Sequence, residues 1–126
     1  MARVLKLGLA VLLVSALGMH GALATGNAGA GQGLFVRCAV CHTAQSGAAN
    51  RIGPNLFGVV GRNAGTLAGY NYSRAMTKSG LTWDEPTLAH YLMGPSALVP
   101  GTKMAFAGFS NPQQANDVAA YLATLK

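Results

Sequence analysis

Charge, cysteine and aromatic side chains are all scarce in this chain. Only 12 of its 126 residues are charged, and only three of those are acidic. The nine basic residues are scattered, with no run of Lys or Arg. The dense basic stripe of a nucleic-acid binder is therefore missing. Two cysteines, Cys38 and Cys41, cannot make a disulfide framework. Long strands of alternating apolar residues are absent, and neither a coiled coil nor a membrane-spanning protein fits. The apolar stretch from Leu7 to Gly18 has 12 residues, against the roughly 20 that cross a bilayer. With one Trp, four Phe and four Tyr, a domain of this size can bury only a modest core. Something other than side chains is expected to fill part of the interior.

What is present begins with a leader. Arg3 and Lys6 stand at its start, the apolar stretch follows, and Ala22-Leu23-Ala24 supplies a small-x-small tripeptide. This is the three-part layout of a secretory signal peptide. Cleavage is expected after Ala24, which divides the chain into a signal peptide, 1–24, and one domain, 25–126. The domain has seven basic and three acidic residues, a net +4. Such a weak positive field suits an acidic protein partner better than nucleic acid.

The domain reads as short helices joined by Gly-rich loops. Residues 25–33 are rich in Gly and Ala, and their start is expected to be a mobile terminus. Gln32 to Val40 predicts a short helix carrying Leu34, Phe35 and Val36. Residues 43–71 hold Pro54 and six glycines, at 47, 53, 58, 61, 65 and 69. An ordered loop of that length is unusual unless it wraps something. Ser73 to Lys78 predicts a short helix ending at Gly80. Asp84 to Met93 is the clearest helix: Thr82 and Glu85 suggest a capping box, Pro86 suits the first turn, and Leu88, Tyr91 and Leu92 share one face. Gly94 and Pro95 stop it. Ser96 to Gly108 reads as loop. A last helix starts near Asn111 with Pro112 in its first turn and runs to Leu125, with Val118, Tyr121, Leu122 and Leu125 on one side.

The chemistry sits in Cys38-Ala39-Val40-Cys41-His42, a C-x-x-C-H sequence. This is the attachment pattern for c-type haem. Two thiols at this spacing can add across the two vinyl groups on one edge of a porphyrin, and the next residue brings an imidazole beneath the iron. Competing readings fit less well. A redox C-x-x-C expects a βαβ setting. A zinc site needs four ligands, and only His90 is an obvious fourth. A disulfide across so short a loop would stabilise little. His90, on the capped helix, reads as a surface residue, and His20 lies in the leader.

From about Gly31 onward the chain resembles the class I cytochromes c, on the mitochondrial and soluble bacterial branch. The resemblance rests on Phe35, the C-x-x-C-H sequence, Gly53-Pro54-Asn55-Leu56, Gly58-Val59-Val60-Gly61-Arg62, Gly69-Tyr70-Asn71-Tyr72-Ser73, Leu81-Thr82-Trp83, and Pro100 to Gly108 around Met104. It implies an all-α fold of four to five short helices around one haem c held by two thioethers. It implies iron ligation by His42 and Met104, with the Met thioether raising the reduction potential. By the same resemblance Pro54 accepts the N–H of the proximal imidazole. Arg62, Tyr72 and Trp83 hold a haem propionate, Tyr91 lies near the Met ligand, and Phe106 covers the haem face. Phe35 and Tyr121 meet where the first and last helices cross. Two departures stand out. Met76 occupies a position where many relatives have Asn, and the lysines that dock mitochondrial members are thin here, leaving Lys78, Lys103 and Lys126.

The function so implied is one-electron transfer in the periplasm, not catalysis. The expected partners are a cytochrome bc complex as donor and a terminal oxidase or photosynthetic reaction centre as acceptor. A monomer without stable membrane insertion is expected. The alternative is a haem peroxidase or gas-binding protein, which needs an open coordination position.

Overall fold

A computed structural model describes residues 25–126; the leader and its cleavage site at Ala24 lie outside the described residues. The domain is all-α. Its helices are α1 (Ala28–Leu34), α2 (Val36–Ala39), α3 (Arg74–Lys78), α4 (Glu85–Met93), α5 (Pro95–Leu98) and α6 (Pro112–Ala123). Helices α1 and α2 run into one another through Phe35, which keeps helical angles, so the segments form five helical bodies. The only extended pairing among the described residues is one antiparallel bridge, Asn63 with Thr82. No described helix is long and apolar enough to cross a membrane.

Side-chain caps set several helix starts. Asn27, Ser73, Asp84 and Asn111 each accept a backbone N–H from the first turn of the helix they precede. The capping box expected at Thr82 does not form. Asp84 caps α4 instead, accepting from Thr87 N at 2.7 Å, and hydrogen bonding by the Thr87 side chain and then its backbone holds the carboxyl below the ordinary carboxylate range. Thr82 is drawn into the bridge, where its hydroxyl donates to Asn63 Oδ1 at 3.0 Å. The stretch expected to be all loop after Gly94 contains α5, started by Pro95 at its first turn. Helix α6 ends at Ala123, two residues earlier than expected.

The Gly/Ala-rich segment is helical from Ala28, and its glycines explain why. Helix α1 crosses α6 with backbone almost against backbone. A Cβ on Gly31 would lie 1.9 Å from the Asp117 carbonyl oxygen, and one on Gly26 would lie 2.0 Å from that of Asn116. Asp117 is itself buried in the crossing. One of its carboxylate oxygens accepts from Asn27 N at 2.7 Å and from Gln113 Nε2 at 2.8 Å. Phe35 and Tyr121 close the same junction, with ring centroids 5.3 Å apart, as expected. Helix α4 packs on the other side of α6 and buries Leu88, Ala89, Tyr91 and Leu92.

The long loop is ordered by its own polar groups. Buried Asn55 donates to the carbonyls of Gln45 at 2.8 Å and Ala48 at 3.0 Å, and accepts from Phe57 N at 3.0 Å. Gly53 N donates to Cys41 O and Leu56 N to Thr43 O, both at 2.9 Å. The loop is thereby tied back to the end of α2.

The helix crossing gives a paired prediction. Gly31→Ala forces the backbones apart and costs about 2 kcal/mol. Gly33→Ala, with nothing within 4 Å of the new atom, raises stability by about 0.5–1 kcal/mol. Thermal unfolding of the two haem-bearing variants beside the parent checks both signs.

Candidate functional site

The helical turn begun by α2 continues past its end. Cys41 N donates to Cys38 O at 3.0 Å, and His42 N donates to the same carbonyl at 3.0 Å. Cys41 and His42 therefore stand about one turn beyond Cys38, along one wall of a largely apolar cavity. Both thiols are free and partly exposed. Burial raises the Cys38 thiol above its ordinary range, Arg37 opposes the shift, and Cys41 adds to it.

His42 is oriented from two directions. Its Nδ1 bonds the Pro54 carbonyl at 2.7 Å. That carbonyl can only accept, so Nδ1 carries the proton and Nε2 keeps a lone pair for a metal. Gly53 packs directly on the ring: a Cβ there would lie 2.3 Å from His42 Cε1. Burial lowers the affinity of His42 for a second proton, partly opposed by the bond to Pro54. A neutral imidazole is the form that ligates.

The remaining lining comes from distant parts of the chain. Leu56, Val59, Met76, Trp83, Leu88, Leu92, Val118 and Leu122 supply apolar surface, and Met104 and Phe106 enter from the segment before α6. All ten residues singled out in the sequence line this one cavity: Cys38, Cys41, His42, Pro54, Arg62, Tyr72, Trp83, Tyr91, Met104 and Phe106. Trp83 is buried against Tyr91, with centroids 4.9 Å apart. The Tyr91 hydroxyl shares a 3.1 Å hydrogen bond with Thr102 Oγ1, and Met104 N donates to the same oxygen at 3.4 Å. Tyr91 thus positions the Met104 segment through Thr102, and burial pushes its phenol up. Arg62 donates to the carbonyls of Asn55 at 3.2 Å and Phe57 at 2.7 Å, which leaves further N–H groups for an anion. Tyr72 meets Tyr70 edge-on at 4.7 Å. His90 is exposed on α4, outside the cavity.

Three contributors had no role assigned from sequence. Gly53 and Asn55 belong to a stretch whose order was visible but whose contacts were not. Thr102 could have been suspected from its place two residues before Met104. Lys103, read from sequence only as a surface lysine, also lines the cavity, where it donates to the Asn71 carbonyl and lies 4.8 Å from the Tyr70 ring centroid.

The donor set suits a planar, largely apolar macrocycle with a metal at its centre and anionic groups at one edge. Two thiols lie on one side, and an imidazole and a thioether can reach inward. Arginine, tyrosine and tryptophan N–H and O–H groups line the same cavity. These features define a c-type cytochrome. A family description of cytochrome c matches residues 28–126, and the chain belongs to that family. It is 51% identical over 92 residues to cytochrome c2 iso-2 of Magnetospirillum molischianum, covering 73% of this chain and 94% of that one. It is 50% identical over 93 residues to cytochrome c2 of Rhodoplanes tepidamans, covering 74% and 87%. Among solved structures, cytochrome cH from Methylobacterium extorquens superposes with a TM-score of 0.74 at 47% identity, covering 79% of this chain and 99% of that one. The protein is accordingly an electron carrier, not an enzyme, with one haem held covalently through the thioethers of Cys38 and Cys41.

The loop that carries Pro54 depends on Asn55. Asn55→Ala removes three hydrogen bonds and costs about 2 kcal/mol, read as a lower midpoint in denaturant unfolding of the haem-bearing protein.

Proposed function

We propose that this protein is a periplasmic one-electron carrier whose haem iron is held axially by His42 and Met104. The observation that carries the reading is the 2.7 Å bond between His42 Nδ1 and the Pro54 carbonyl, with His42 and Met104 lining the same cavity. That bond leaves Nε2 as the only ring atom free to ligate, and it strengthens the imidazole as a donor.

The haem supplies a single redox couple, Fe(III)/Fe(II). The chain's own residues set how that couple behaves. The Met104 thioether is soft and neutral and favours the reduced metal, which raises the potential. With His42 and Met104 both holding the iron, peroxide and gases would find no open site. Trp83, Leu88, Leu92, Val118 and Leu122 exclude water, so a change of one charge moves little solvent. Arg62, Tyr72 and Trp83 supply N–H and O–H donors for the propionates, whose burial would otherwise be costly. Tyr91 holds the Met104 segment through Thr102, and Phe106 covers the haem face.

Electrons would leave by the thioether edge. Ile52 lines the cavity and is 75% exposed, so an apolar side chain reaches solvent at its edge. Transient docking by a carrier favours brief contact over a small interface. The weak positive charge adds modest steering toward acidic partners. A cytochrome bc complex as donor, and a terminal oxidase or photosynthetic reaction centre as acceptor, fit this chemistry. The leader supports export, with haem attached after translocation.

One preparation tests the reading. The protein is made with a haem-attachment system and compared with Met104→Ala. The parent is expected to show a sulfur-to-iron charge-transfer band that the variant loses; a band unchanged in the variant contradicts Met104 as ligand. The intact mass of the parent is expected to equal a chain starting at Thr25 plus one haem, and a mass that retains the leader contradicts cleavage after Ala24.

A further inference from the structure

Arg37 stands at the rim of the cavity, next to Cys38 on α2. Its guanidinium carbon lies 4.7 Å from the Phe109 ring centroid and 5.2 Å from that of Phe106. The two rings meet edge-on, with centroids 5.3 Å apart and planes at 70°. Phe109 is immobilised: it is 2% exposed, and its N–H donates to Leu92 O at 2.8 Å. Phe106 is only half-buried, lines the cavity, and follows Met104 by two residues. The Arg37 charge therefore bridges the wall that bears the cysteines to the wall that bears Met104. The three acidic residues are placed elsewhere. Asp84 caps α4, Glu85 begins it, and Asp117 is engaged by Asn27 and Gln113.

Between Phe109 and Met104 the backbone is held at few points. Gly108 has φ 104°, in the left-handed region that favours glycine, and it passes so close to Met93 that a Cβ would lie 2.2 Å from its carbonyl oxygen. Residues 104–107 make no backbone–backbone hydrogen bond outside the helices. The segment is pinned at Gly108 and Phe109 on one side and at Thr102 and Lys103 on the other. In its middle, the Arg37 stack on Phe106 joins the segment to α2.

We propose that Arg37 is a positioning residue whose stack on Phe106 and Phe109 holds the 104–107 segment closed over the cavity. The proposal rests on Met104 being the iron ligand. Closure keeps the thioether in reach of the metal and keeps outside ligands from replacing it. A guanidinium serves better than an ammonium, because its flat face lies on a ring while its edges stay hydrated.

The test uses the ferric haem-bearing protein, with imidazole as the probe ligand. The parent, Arg37→Gln, Arg37→Lys, Phe106→Leu and the Arg37→Gln/Phe106→Leu double variant are titrated, and the sulfur–iron band is followed. Losing an exposed-site cation–π pair of contacts is expected to strengthen imidazole binding roughly fivefold in Arg37→Gln. Arg37→Lys is expected to fall between Arg37→Gln and the parent. The double variant is expected to show less than the product of the two single effects, because they remove the same contact. Parent-like imidazole affinity in Arg37→Gln overturns the proposal, even if electron transfer to a partner becomes less salt-dependent, since that makes Arg37 a docking charge only. Single effects that simply multiply in the double variant overturn it too. A parent without haem, or with haem but no sulfur–iron band, defeats the ligation reading instead.

Discussion

One apolar cavity organises this domain, and the helices are arranged to face it. Helix α2 with the turn after it, the Gly53–Arg62 loop, α4, α6 and the Met104 segment all contribute to its lining. Covalent attachment at Cys38 and Cys41 fixes the macrocycle to one wall. The apolar side chains of the other walls then gain a surface to cover, worth roughly 25 cal/mol for each Å² removed from water. This answers the shortage of aromatic and bulky side chains, because the prosthetic group supplies the missing apolar volume.

The polar side of the structure follows from that arrangement. A chain that wraps a flat group with loops exposes many backbone amides, and these must be paired. Asn55, Arg62 and Gly53 do this for the long loop. Asp117 does it for the start of α1, joining residues 90 positions apart in sequence. Among the described residues no buried side-chain nitrogen or oxygen lacks a partner. The buried polar side chains are therefore already paired, which is what a carrier needs if one electron is to enter and leave with little rearrangement.

How much of this could be read from sequence depended on the range of the forces involved. Local chemistry was legible. The helix starts at Ser73 and near Asn111, Pro112 in a first turn, and the C-x-x-C-H turn all act within a few residues. Thr82 misled because its offset from Glu85 matched a capping box, while Asp84, immediately before Glu85-Pro86, offered the better acceptor. The start of α1 was hidden because Gly26 and Gly31 serve a contact with α6 that composition does not reveal. The roles of Gly53 against His42, and of Arg37 against Phe106 and Phe109, were hidden for the same reason: each is a packing event between distant segments. Cys38, Cys41 and His42 were legible from their spacing, the other seven site residues only through family resemblance, and all ten line one cavity.

The central claim is that the chain folds around its attached haem. Far-UV circular dichroism and thermal melting of the haem-bearing protein, beside the same chain made without haem attachment, test it most directly. The account predicts a helical spectrum and a cooperative melt only when haem is attached, with little helical signal in the bare chain. A bare chain with equal ellipticity that melts cooperatively at the same temperature would contradict it.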